Sequence, residues 1–295
     1  MDAPRKRSVG WRLERSGQAY RRLRGALVLL PRRLDAPDRL LPTVVILGAQ
    51  KAGTSALFAC LSEHPDVLSP TEKEVHYFDL NFARGLEWYR AHFPRRSAPS
   101  TGGTGRGLSE VTLEATPYYL FHPAVPERLQ SVLPDAKFIV MLRNPVDRAY
   151  SHYWHEYERG FERLPLKAAL AAEADRLRGE AARLLADIRY RSFKHQHYSY
   201  VSRGLYVEQV RAWFARVPPG RFLFVKSEQF SADPEAQIGR VLRFVGLPPN
   251  GAVRPRAVNV GRYPPMDHDL RESLTEYYDP HNRQLAELLG PDFSW

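Results

Sequence analysis

The clearest pattern along the chain is a set of short apolar runs without polar alternation, each followed by turn residues and a helical period. Thr43-Val44-Val45-Ile46-Leu47 is rich in β-branched residues, as expected of a strand buried on both faces. It leads into Gly48-Ala49-Gln50-Lys51-Ala52-Gly53-Thr54-Ser55, and residues 56–61 then read as a helix. Further strands are predicted at residues 137–142 and 222–225, each again followed by a helical pattern. Repeated β–α alternation predicts an α/β fold, a central parallel sheet with helices on both faces. From Leu164 to Ile188, apolar residues recur every three or four positions, which predicts an amphipathic helix or helix pair. Residues 97–109, rich in Gly and Ser, predict a flexible loop.

Leu41-Pro42 divides the chain into a basic arm, residues 1–40, and one folded unit, residues 41–295. The net charge of +10 suggests a polyanionic partner until it is located. The arm holds 11 of the 43 Lys/Arg and 4 of the 33 Asp/Glu, leaving 32 against 29 in the body. No nucleic-acid partner is therefore expected for the body. The apolar stretch 25–30 is too short to span a bilayer and arginines close both its sides. Weak contact with an anionic membrane surface stays open for this arm, beside a plain basic tail. Cys60 is the single cysteine, which excludes an intrachain disulfide or a cysteine-based zinc site and suits a cytoplasmic location. Clustered Asp/His ligands with metal spacing are absent too, so no metal is expected.

The first loop carries chemistry. A turn between a strand end and a helix start presents free backbone N–H groups to an anion, favoured by the helix dipole. Gly48 and Gly53 have the spacing of a nucleotide-phosphate loop, which predicts a P-loop-like sheet. In a triphosphate loop a lysine would follow Gly53, whereas here Thr54 and Ser55 follow and the lysine is Lys51. A second anion site is predicted where strand 137–142 ends in Arg143-Asn144-Pro145. Asn144 suits a helix N-cap and Pro145 the first helical position, so Ser151, about two turns on, can converge with Arg143.

With these two loops the chain resembles the sulfotransferases that use 3′-phosphoadenylyl sulfate (PAPS), nearest the heparan sulfate and bacterial branch. The resemblance implies that Gln50, Lys51, Ala52, Gly53, Thr54 and Ser55 hold the 5′-phosphosulfate. It implies that Lys51 neutralises the departing phosphate and that Arg143 and Ser151 bind the 3′-phosphate. A C-terminal loop, Asn259-Val260-Gly261-Arg262-Tyr263, partly matches the family segment that closes over the nucleotide, and Tyr206 is a further nucleotide candidate.

On the acceptor side, Glu74 and His76 project to one side if residues 71–79 are extended. A carboxylate and an imidazole there can take a proton from an attacking hydroxyl, and partial burial would raise the Glu74 pKa. A surface Lys73/Glu74 pair beside a buried His76 reads the same residues without chemistry. The resemblance favours catalysis, because Lys73-Glu74-Val75-His76-Tyr77-Phe78-Asp79 is similar to the segment holding the family's catalytic glutamate. The family's lysine near the reacting sulfate has no counterpart, since Ala115 stands there. The implied activity is sulfuryl transfer from PAPS to a hydroxyl or amine of a carbohydrate, glycolipid or natural-product acceptor. Its rivals are a nucleotide kinase and a non-catalytic nucleotide or polyanion binder.

Overall fold

A computed structural model describes residues 29–96, 111–248 and 263–295. Five strands form one sheet: β1 Val44–Gly48, β2 Val67–Leu68, β3 Val111–Ala115, β4 Lys137–Leu142 and β5 Phe222–Lys226. Their order is β2-β3-β1-β4-β5 and every pairing is parallel. β1 lies between β3 and β4, with Val44 opposite both Leu113 and Lys137. Its side chains are buried on both faces, which is why the sequence there is apolar without alternation.

The helices around the sheet are α1 Thr54–Ser62, α2 Leu86–Arg90, α3 Val125–Val132 and α4 Pro145–Glu158. Four short ones follow, α5 Leu166–Ala171, α6 Glu173–Leu177, α7 Glu180–Ala186 and α8 Phe193–His197. The last are α9 Tyr206–Phe214, α10 Ser227–Ala232, α11 Pro234–Val245 and α12 His268–Leu289. From β1 the chain travels outward to β2, returns to β3, then crosses β1 to β4 and β5. Right-handed crossovers in opposite directions put helices on both faces and open a crevice at the strands' carboxyl ends. α11 packs on α1, while Trp213 of α9 meets Phe138 and Phe222. No helix among the described residues is long and apolar enough to cross a membrane.

Two expectations need correction. Residues 164–188 form three short helices, α5 to α7, and the surfaces they bury include Glu173 and Glu180. Glu173 accepts the backbone N–H groups of Val201 (2.6 Å) and Ser202 (2.8 Å), and Glu180 accepts the hydroxyls of Tyr190 (2.6 Å) and Ser192. Backbone and hydroxyl donors hold this insertion down together with part of the apolar stripe, Leu166, Leu170 and Leu184. Residues 29–40 also contact the folded body: Arg32 donates to the carbonyls of Ala91 (2.6 Å) and Phe93 (2.7 Å), and Arg39 also donates to Phe93 (2.8 Å). Last, residues 71–79 are not extended, because Glu74 (φ 65°) and His76 (φ 54°) adopt left-handed backbone. The loop expected at 97–109 lies outside the described residues.

Candidate active site

The carboxyl ends of β1, β3, β4 and β5 open into one cleft of about 740 Å³. At the end of β1, Gly48 has φ 153°, and a Cβ there would meet the Pro117 carbonyl oxygen at 2.8 Å. Only glycine lets the two segments approach so closely. Gly53, at φ 92°, is the N-cap of α1, and no side chain caps that helix. The N–H groups at the start of α1 are therefore available to an anion. Ala52 is an exception: its N–H donates to the Ala49 carbonyl (3.2 Å), and the residue is buried away from the cleft. Gln50, Lys51, Gly53, Thr54 and Ser55 do line it. The Lys51 ammonium has a lowered pKa, first through burial and then through the Arg143 guanidinium. Two cations held this close, partly desolvated, favour an anion between them.

β4 delivers the second site. Asn144 caps α4, its side-chain oxygen accepting from Val146 N (2.9 Å) and Asp147 N (3.3 Å). Arg143 lines the cleft and donates Nη1 to the Lys51 carbonyl (3.1 Å), tying the two loops together. Asp147, Ser151, His155 and Arg159 recur every fourth residue, so one face of α4 supplies a continuous cleft wall. Tyr206 does not face the cleft. It is buried, and its hydroxyl donates to the Arg143 carbonyl (3.0 Å), so it supports the arginine from behind. Tyr263 lines the cleft and lies parallel to Trp154 at 6.3 Å, whereas Asn259, Val260, Gly261 and Arg262 lie outside the described residues.

Glu74 and His76 stand together on the wall near Tyr118, with His76 Nε2 3.6 Å from Glu74 Oε2. Their left-handed turns are fixed from both sides. Glu74 N donates to the Ala115 carbonyl (3.0 Å), and Asn81 donates to the His76 carbonyl (2.8 Å). The Tyr119 hydroxyl accepts from Tyr77 N (2.8 Å) and itself donates to buried Glu114 (2.7 Å). Charge then departs from the sequence expectation. Burial pushes the Glu74 carboxyl up, but His76 and the Lys73 ammonium at 2.5 Å outweigh it and hold the pKa at about 2. Burial pushes His76 down, but Asp79 at 2.7 Å and Glu74 raise it to about 10. At neutral pH the pair is carboxylate and imidazolium. Burial alone was expected to raise the Glu74 pKa, whereas its neighbours lower it.

Several cleft residues carry no signal in the sequence because their roles come from the insertion folding back. Buried Arg203 donates to Gln50 of the first loop and to the carbonyls of His195 (3.1 Å) and Gln196 (2.8 Å). Glu156 and His197, with His155 and Arg159, complete the wall. His155 has a lowered pKa, through burial and then the field of Lys51, so it is a neutral imidazole near the loop lysine. Among the described residues, no group of three or more His, Cys, Asp or Glu is arranged to hold a metal ion.

Comparison with known proteins gives the family and the fold. Human heparan sulfate glucosamine 3-O-sulfotransferase 6 is 31% identical over 296 residues, covering 90% of this chain and 77% of that protein. The human bifunctional heparan sulfate N-deacetylase/N-sulfotransferase 3 is 30% identical over 85% of this chain, which spans 30% of that longer protein. A sulfotransferase crystal structure from Alicyclobacillus acidocaldarius, 30% identical, superposes with a TM-score of 0.63 over 85% of this chain and 96% of its own. Residues 41–260 match the sulfotransferase domain, so the chain belongs to the sulfotransferase family.

Proposed function

We propose that this sulfotransferase takes PAPS as donor and sulfates a hydroxyl of a carbohydrate acceptor. The observation that supports this most is convergence: the uncapped start of α1, Lys51, Arg143 and Ser151 meet in one cleft, with Glu74 on the same cleft's acceptor wall. Those residues fit a doubly anionic nucleotide. The free N–H groups of residues 53–55, with the Thr54 and Ser55 hydroxyls, suit the 5′-phosphosulfate, and Arg143 with Ser151 suits the 3′-phosphate. When bound, PAPS supplies a sulfuryl group already attached to a good leaving phosphate.

Lys51 stabilises the charge that grows on that phosphate as the sulfur–oxygen bond breaks. Glu74 receives the acceptor proton. Its low pKa belongs to the protein without acceptor, where Lys73 and His76 hold the carboxylate. An acceptor that displaces Lys73 removes one of those charges and raises the basicity of Glu74 as the hydroxyl arrives. His76, charged and fixed by Asp79, orients the carboxylate instead of sharing its task. Relatives named for heparan sulfate glucosamine sulfation favour an amino-sugar acceptor. The test is transfer of labelled sulfate from PAPS to glucosamine-containing oligosaccharides. Glu74→Ala is expected to lose about 10²–10⁴-fold in rate while still binding the bisphosphate product. Equal rates in the two proteins would remove Glu74 as the base.

A further inference from the structure

Beside the Lys51–Glu74 centre, the same cleft contains a second arrangement that the mechanism above leaves unused. Glu156 is fully buried on α4, one residue beyond the cleft-lining stripe, and its two oxygens face two histidines. Oε2 is 3.0 Å from His197 Nδ1, whereas Oε1 is 3.5 Å from His152 Nε2 and makes no hydrogen bond. His152 is completely buried, and burial lowers its pKa to about 3 despite Glu156, so it is neutral. Glu156 is held in the ionised form: burial pushes its carboxyl up, but the contacts to His152 and His197 outweigh that.

A buried carboxylate beside a ring nitrogen selects the tautomer in which that nitrogen carries the proton. The His197 ring is held by Phe161 (4.8 Å) and Phe193 (4.3 Å), so it has little freedom to turn away. The backbone carbonyl of Glu156 is fixed as well, accepting from Phe161 N (2.9 Å) and Glu162 N (3.1 Å). The remaining nitrogen, Nε2, is not engaged by Glu156, and His197 is a cleft-lining residue.

We infer that Glu156 and His197 form an acceptor-binding dyad, in which Glu156 fixes the Nδ1–H tautomer and His197 Nε2 accepts a hydrogen bond from a donor group of the acceptor. This rests on the sulfotransferase reading of the cleft and narrows its substrate. The acceptor carries, besides the hydroxyl that is sulfated, a second O–H or N–H that meets His197. The dyad does not exchange the reacting proton. It sets which acceptor is held and in which orientation.

Two measurements test it. In ¹⁵N-histidine-labelled protein, with and without the bisphosphate product, two-bond ¹H–¹⁵N spectra report the His197 tautomer. A protonated Nδ1 with a bare Nε2 is expected, and Glu156→Gln, whose amide can donate to Nδ1, is expected to reverse it. A proton on Nε2 of the unaltered protein overturns the proposal whatever the acceptor. Kinetics with PAPS and a glucosamine-containing oligosaccharide, and with p-nitrophenyl glycosides, give the second reading. His197→Ala is expected to raise the acceptor KM by about three- to tenfold, the loss of one neutral hydrogen bond, with product affinity unchanged. Turnover with an unchanged acceptor KM in His197→Ala defeats the dyad but not the sulfotransferase reading. Absence of bisphosphate binding by the unaltered protein defeats that underlying reading instead, and the acceptor-binding dyad falls with it.

Discussion

At the residue scale, the positions of Glu74 and His76 were legible in the sequence, but their charges were not. Both line the cleft, but through left-handed turns and not through the extended backbone that their spacing suggested. The left-handed turns that bring Lys73 and Asp79 against them leave no mark that a pattern of apolar and polar positions can carry. The charges have consequences for pH. The folded pKa of His76, about 10, lies above its ordinary value of 6.5, so its stabilising contribution is complete below 6.5 and is lost as pH rises to about 10. The melting temperature of the unaltered protein is therefore expected to fall relative to His76→Asn across that window. For Glu74 the sign is opposite: its contribution is complete above 4.5 and disappears as pH falls towards about 2. Glu74→Gln is thus expected to flatten the loss of stability between pH 4.5 and 2, followed by thermal melts at each pH. A melting difference that does not change with pH in either window would show that these ion pairs do not form as described.

At the element scale, β1, β4 and β5 announce themselves because they are apolar apart from a terminal lysine in β4 and β5, whereas β3 hides. Its Thr112 and Glu114 are polar yet buried, and Glu114 is satisfied by the hydroxyls of Tyr89, Tyr119 and Thr116. A strand whose buried positions are polar is invisible to hydropathy, and one of the partners that satisfy it, Tyr89, comes from a separate helix 25 residues away. The insertion α5–α8 has the same character. Glu173→Ala strips the partners from two backbone N–H groups and is expected to cost about 1–3 kcal/mol in denaturant unfolding. Arg203 joins this insertion to the phosphate loop through Gln50, so Arg203→Met is expected to weaken nucleotide binding without touching the nucleotide. Unchanged product affinity in Arg203→Met would mean that the loop holds its shape unaided.

At the scale of the whole molecule, strand order does what no single segment can. The reversal at β1 brings the ends of β1 and β4 side by side, so that Lys51 and Arg143, distant in sequence, share one wall and one hydrogen bond. The sequence motifs named both loops; only the sheet order makes them a single anion site. The central claim is that this site is built for the doubly phosphorylated nucleotide, and isothermal titration with 3′-phosphoadenosine 5′-phosphate tests it most directly. Tight binding that is the same with and without magnesium, and weakened about tenfold or more in Lys51→Ala and Arg143→Ala, is the predicted result. No binding of the bisphosphate, together with magnesium-dependent binding of ATP, would contradict the account.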